Sequence, residues 1–183
     1  MRALMTYQPI FPAALQPLVP ALLRRLEVAE RASATQGTTV LIQGEQLEPP
    51  ARVYYEPNIL RSVIECESGD TRILAMCLGT RHWDGYVREE CVRHLVGVDR
   101  PWVVPFVVQL VGEYVVEIVQ VIAAALREVD GPRFGAFVRE NPKFMATTRR
   151  RVRSYWDCYY RSQFPSVQAY PATIVLDVIE RMA

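Results

Sequence analysis

The sequence predicts an all-α protein of stacked antiparallel helix pairs, an expectation carried by three observations. From residue 57 onward, apolar residues recur at helical spacing in one segment after another. Residues that start and stop helices bound those segments: Pro57, Asp70, Asp84, Pro142 and Pro171 open them, and Gly79, Gly97 and Gly131 follow or close them. A single run, Thr38 to Gln43, has the β-branched, apolar character of a strand, and Gly44, Pro49 and Pro50 end it. One unpaired strand makes no sheet, so this run reads as a loop or a small hairpin.

The 183 residues fit one domain, 1–183, with an irregular segment at 1–56 and a helical body at 57–183. A first helix is expected at 17–31, with Leu18, Leu22, Leu23 and Leu26 on one side. The second, at 57–67, places Ile59, Leu60, Val63 and Ile64 together before the break Ser68-Gly69-Asp70. Asp70 is expected to cap a helix at 70–79, whose apolar face is Ile73, Leu74, Cys77 and Leu78. Further helices are expected at 84–96, 102–127, shortly after Gly131-Pro132, at 142–162 with Pro165 as its limit, and at 171–182.

The segment Asp84-Gly85-Tyr86-Val87-Arg88-Glu89-Glu90-Cys91-Val92-Arg93-His94-Leu95 is the most informative. Asp84 can cap and Gly85 can turn. Val87, Cys91, Val92 and Leu95 share a helical face, with Arg88, Glu89 and Arg93 expected mostly outward. An Asp, then Val-Arg, then a small residue, then Leu resembles the second helix of a HEAT repeat. That resemblance, best over residues 84–95, implies helix pairs stacked into a curved superhelix whose output is a binding surface.

Residues 101–126 are rich in Val, Ile and Ala, yet Gln109, Glu113, Glu117 and Gln120 recur at i, i+4, i+8 and i+11. On one continuous helix they form a narrow polar seam, and two carboxylates at mid-bilayer argue against a membrane span. The seam can face water or meet arginines of a neighbouring helix, or line a partner groove. Metal binding by Glu113 and Glu117 is the remaining reading, and no His lies at the matching helical offset.

In Thr147 to Tyr160, the residues Val152, Tyr155, Trp156 and Tyr159 form a core stripe, with Arg150, Ser154, Asp157 and Arg161 largely opposite. Arg149 and Arg153 stack nearby at i, i+4. Solvated or paired arginines over an aromatic core, a protein-binding face, and phosphate contact with base stacking all fit this pattern. Val87, Leu95, Val152, Tyr155 and Trp156 are the expected core residues. His82 and His94 join no recognisable nucleophile motif, and glycine-rich phosphate loops, HExxH and GxSxG are absent.

A formal charge of +1 argues against a globally basic nucleic-acid binder. The charge is uneven: the span 133–161 holds eight basic and two acidic residues, and 27–70 holds eight acidic and three basic. Lys143 is the only lysine among 21 basic residues, a bias expected of a GC-rich coding sequence. Cys66, Cys77, Cys91 and Cys158 form no CxxC pair and no zinc-knuckle spacing, so buried free thiols are expected. Pro9, Pro12, Pro17 and Pro20 interrupt the first apolar stretch, against a cleaved signal peptide; with reduced thiols this points to the cytoplasm.

These readings lead to a non-enzymatic cytoplasmic adaptor or regulator that binds another protein and needs no cofactor or metal. For a small stand-alone bacterial HEAT-like protein, the size and the missing catalytic chemistry point to a regulator or an immunity protein that neutralises a toxin by masking it. The rival is a nucleic-acid-binding or DNA-repair-type HEAT-like protein using the basic aromatic helix. Candidate partner-binding residues are Gln109, Glu113, Glu117, Gln120, Arg149, Arg150, Arg153 and Asp157.

Overall fold

A computed structural model describes residues 9–26, 37–128 and 131–183. Among them are nine α-helices and one two-stranded sheet, so the all-α expectation holds. No helix of the described residues is long and apolar enough to cross a membrane.

The N-terminal part is less irregular than its sequence suggests, because it supplies core. α1 (Val19–Leu26) buries Leu22 and Leu26; the residues expected to extend this helix to 31 lie outside the described ones. Phe11 stacks on Phe106 at 5.5 Å and meets Trp102 edge-on at 6.1 Å. β1 (Val40–Ile42) and β2 (Glu45–Leu47) pair antiparallel with Ile42 opposite Glu45, which leaves Gln43-Gly44 as a two-residue turn. Both turn residues have positive φ, 51° and 83°, the conformation a tight primed hairpin turn requires. The hairpin is pinned to the helical body by Asn141, which accepts from the Leu41 amide and donates to its carbonyl, each at 2.7 Å.

The body consists of α2 (Pro57–Cys66), α3 (Gly69–Gly79), α4 (Gly85–Leu95), α5 (Val104–Val111), α6 (Val116–Ala125), α7 (Pro132–Glu140), α8 (Pro142–Tyr155) and α9 (Pro171–Glu180). α3 packs against both α2 and α4, α4 against α6, and α6 against α5 and α9. α3 and α4 approach so closely at Gly79 that any Cβ there would overlap the Cys91 sulfur. Val87, Cys91, Val92 and Leu95 are buried as their spacing predicts. Asp84 caps α4, accepting from the Tyr86 amide at 2.9 Å.

Several expectations are corrected. Asp70 is no cap: α3 starts at Gly69 after Ser68, and Asp70 pairs with Arg100. Arg88 is buried rather than outward, at 2% exposure. The single helix expected over 102–127 is two helices, α5 and α6, separated at Gly112-Glu113-Tyr114-Val115. Gly112 sits where a Cβ would press 3.0 Å from the Thr148 methyl, and Val115 is extended. α8 ends at Tyr155, followed by a π-helical turn at Trp156–Tyr160. Val152 is buried, but Tyr155 and Trp156 are only half-buried and Tyr159 is exposed, so the predicted core stripe runs out where the helix widens. Of the four thiols, Cys77 and Cys91 are buried, and Cys66 and Cys158 are exposed.

Candidate interaction site

Two extended segments build the floor of the site. Val53 bridges His82 in parallel, with the Val53 amide donating to the Arg81 carbonyl at 2.9 Å and the Trp83 amide to the Val53 carbonyl at 3.1 Å. At this bridge Val53 and His82 are buried, Arg52 is half-buried, Tyr54 and Trp83 are exposed, and Arg81, in the turn that ends α3, is buried. The break between α5 and α6 brings Glu113 to Arg52 and Arg81, and α4 adds Arg88.

Among the described residues, Glu113 is the one carboxylate in contact with three guanidiniums. Arg52 grips it with both terminal nitrogens, at 2.8 and 2.9 Å. Arg81 donates to the same carboxylate and to the Pro50 and Ala51 carbonyls. Arg88 donates to the His82 and Trp83 carbonyls, each at 2.9 Å, and its Nε stands 3.4 Å from Glu113 Oε2. Burial alone would raise the Glu113 pKa; Arg81 and Arg52 outweigh it and hold the carboxyl below its ordinary range. Burial lowers Arg81 and Arg88 from the usual arginine value. Arg52 is desolvated too, yet its bonds to Glu113 raise it. His82 is neutral by geometry: its Nε2 meets the Tyr55 carbonyl at 2.9 Å, and its Nδ1 accepts the Asp84 amide at 3.1 Å. Burial lowers its pKa.

Exposed aromatic residues neighbour the cluster residues along the chain: Tyr54 two residues after Arg52, Trp83 two after Arg81, Tyr86 two before Arg88 and Tyr114 next to Glu113. Tyr54, Trp83, Tyr86 and Tyr114 are between 44% and 77% exposed, a large amount for apolar rings. Tyr114 lies 6.0 Å from Tyr155, which stacks with Tyr159 at 6.2 Å, and the Tyr160 hydroxyl donates to the Tyr114 carbonyl. The π-helical turn thereby brings the end of α8 beside the α5–α6 break. Arg52 is the one arginine of the three whose side chain reaches solvent appreciably, at 25%.

The predicted polar seam is dispersed. Gln109 is buried in α5, Glu113 is held by arginines, and Glu117 and Gln120 are exposed on α6. Glu113 and Glu117 form no metal pair, and among the described residues no three His, Cys, Asp or Glu side chains converge on a point that holds a metal ion. On α8, Arg149 is engaged by Asp177 at 2.8 Å and Glu180 at 2.5 Å. Arg150 donates to Thr147, Asp157 pairs with Arg161 one turn on, and Arg153 is exposed. Of the eight predicted residues, Glu113 alone takes part in the arginine cluster.

Sequence reasoning missed Arg52, Arg81, Arg88, Tyr54, Trp83 and Tyr114. A signal existed for Arg88, which stands three, four and seven residues before Cys91, Val92 and Leu95 and therefore on their face. Separately, α2, α3 and α4 leave a groove of about 380 Å³ over Ile64, Met76, Val87 and Cys91, with the Arg61–Glu90 ion pair at its edge. Burial pushes the Cys91 thiol up to about 12, which keeps it protonated at neutral pH. No protein-family model matches the chain, and neither the curated proteins nor the solved structures contain a match to it.

Proposed function

We propose that this chain is a non-enzymatic binding module, a cytoplasmic adaptor or regulator that grips another protein through the aromatic face around Arg52 and Glu113. On this reading the helix pairs serve as HEAT-like layers, a scaffold that holds the face rigid. The observation that carries it is the exposure of Tyr54, Trp83 and Tyr114 over an arginine-rich floor. Trp, Tyr and Arg are the residues that dominate protein interfaces, because the rings of Trp and Tyr bury a large area at low entropic cost and Arg donates through a planar fork. The basic helix α8 offers less to a nucleic acid, since Arg149 is already neutralised by two carboxylates.

The test is affinity capture from cells that express the chain, followed by quantitative binding to whatever protein is recovered. Trp83→Ala and Tyr114→Ala should each weaken that binding by roughly thirtyfold or more, as truncating an interface anchor does. Ile174, exposed on α9, provides the control, and Ile174→Ala should leave affinity unchanged. Binding that survives both aromatic truncations with folded protein would place the interface elsewhere.

A further inference from the structure

The arginine cluster is out of balance in charge and in hydrogen bonding. Three guanidiniums, of Arg52, Arg81 and Arg88, meet the single carboxylate of Glu113, which leaves a surplus of two positive charges. Each guanidinium carries about five N–H donors and no acceptor, so the three bring roughly fifteen. Eight hydrogen bonds use them, three from Arg52, three from Arg81 and two from Arg88. Among the described residues, the buried Arg81 Nη1 has no hydrogen-bond partner, and the buried Arg88 Nε has only the 3.4 Å approach of Glu113 Oε2. Uncompensated buried charge is costly, and an anion held beside it relieves that cost.

We infer that this face binds a phosphate monoester, seated on Arg52 between the exposed rings of Tyr54 and Tyr114. Charge selects the class, since a phosphate monoester near neutral pH carries about −1.5 to −2 and matches the surplus, whereas a carboxylate cancels half of it. Arg52 gives its Nη1 hydrogens and one Nη2 hydrogen to Glu113 and Ala51, and its Nε and second Nη2 hydrogens are the donors left for phosphate oxygens. Entry is at Arg52, the exposed member, with Tyr54 two residues further along the chain and Tyr114 next to Glu113, which Arg52 holds. Arg81 and Arg88 act from behind, through the field they add. The inference rests on reading this face as a binding surface and deepens it by naming the chemistry. The ester belongs either to a phosphorylated side chain of the protein partner or to a free small molecule.

The experiment is thermal unfolding and calorimetric titration of the full chain at fixed ionic strength, with inorganic phosphate, phenyl phosphate, acetate and sodium chloride as probes. A short peptide with one phosphoserine, and the same peptide unmodified, separate the two sources. Phosphate and phenyl phosphate should raise the melting temperature where acetate and chloride do not. Affinity should decline as pH falls below about 6 and the ester loses its second charge. Arg52→Gln, at a partly exposed position, should weaken phosphate by about tenfold or more, while Arg150→Gln leaves it unchanged. If Arg52→Gln does not fold, Tyr54→Ala and Tyr114→Ala, both at exposed positions, read the same site and should each weaken phenyl phosphate. A phosphopeptide that binds more tightly than phenyl phosphate assigns the ester to a protein partner; the reverse assigns it to a small molecule. Stabilisation equal to that by chloride, or by acetate, overturns the inference. Partner capture that depends on Trp83 but not on phosphate would leave the binding-module reading intact without it, and phosphate binding with no protein captured would do the opposite.

Discussion

Replacing Glu113 by Gln tests the centre of the structure most directly. The substitution keeps the shape and one carbonyl acceptor but removes the only negative charge that Arg52, Arg81 and Arg88 contact. Arg81 and Arg88 are nearly fully enclosed and cannot turn to water, and the Glu113 side chain itself is only 10% exposed, so solvent screens little of the loss. Breaking a buried ion pair from one side costs about 3–5 kcal/mol, because the stranded charge stays buried. For a domain of this size that corresponds to a melting temperature lower by roughly 6–20 °C. Urea denaturation followed by far-UV circular dichroism measures it, with Glu117→Gln as the control, since Glu117 is exposed on α6 and its substitution should stay within about 0.5 kcal/mol. A Glu113→Gln variant whose loss is under about 1 kcal/mol, or no larger than that of Glu117→Gln, would refute the cluster as a coupled unit.

Two further outcomes follow from buried groups. Acid should destabilise the fold in two windows: His82 has its pKa lowered by burial, so the unfolded chain binds the proton first and stability falls as pH drops below the ordinary histidine value of about 6.5. Glu113, also depressed in the folded state, adds a second loss as pH falls through and below the ordinary carboxylate value of about 4.3; equilibrium unfolding from pH 7 to 3 checks both, and His82→Gln should erase the upper window alone. Gly79→Ala should cost about 1–3 kcal/mol through overlap with the Cys91 sulfur, and Cys91→Ala in the same chain should recover part of it; denaturation midpoints of the two single variants and the double variant decide whether the sites are coupled.

Most helix starts were legible because their causes are local. Proline at the first helical position and a nearby apolar stripe name α2, α7, α8 and α9 within a residue or two of their observed starts. The Gln43-Gly44 turn left a trace in Gly44, and the sequence reading kept the hairpin open on it. The break between α5 and α6 was not legible, although Gly112 marks the place. An uninterrupted apolar pattern favours one helix, and what competes with it is capture of Glu113 by arginines 61, 32 and 25 residues away in sequence. Local periodicity carries no information about such partners. Arg88 is hard to read for a different reason: a charged residue ordinarily faces water, yet its position relative to Cys91, Val92 and Leu95 puts it on the buried face.

The same long-range contacts explain why the aromatic face is where the chemistry of this molecule concentrates. A buried ion cluster is weak evidence for stability, since well-packed apolar side chains of similar volume do as well or better. What the Arg52–Arg81–Arg88–Glu113 cluster supplies is geometry, because it ties the strand at Val53, the turn into α4 and the break after α5 to one point. Each of those three segments carries an exposed ring next to its cluster residue: Tyr54 beyond Val53, Trp83 two residues after Arg81, and Tyr114 after Glu113. Holding the rings from beneath fixes their positions before any partner arrives, and a preorganised surface loses less conformational entropy on binding. On the proposed reading, the surplus of donors beside these rings gives that surface a preference for anionic ligands.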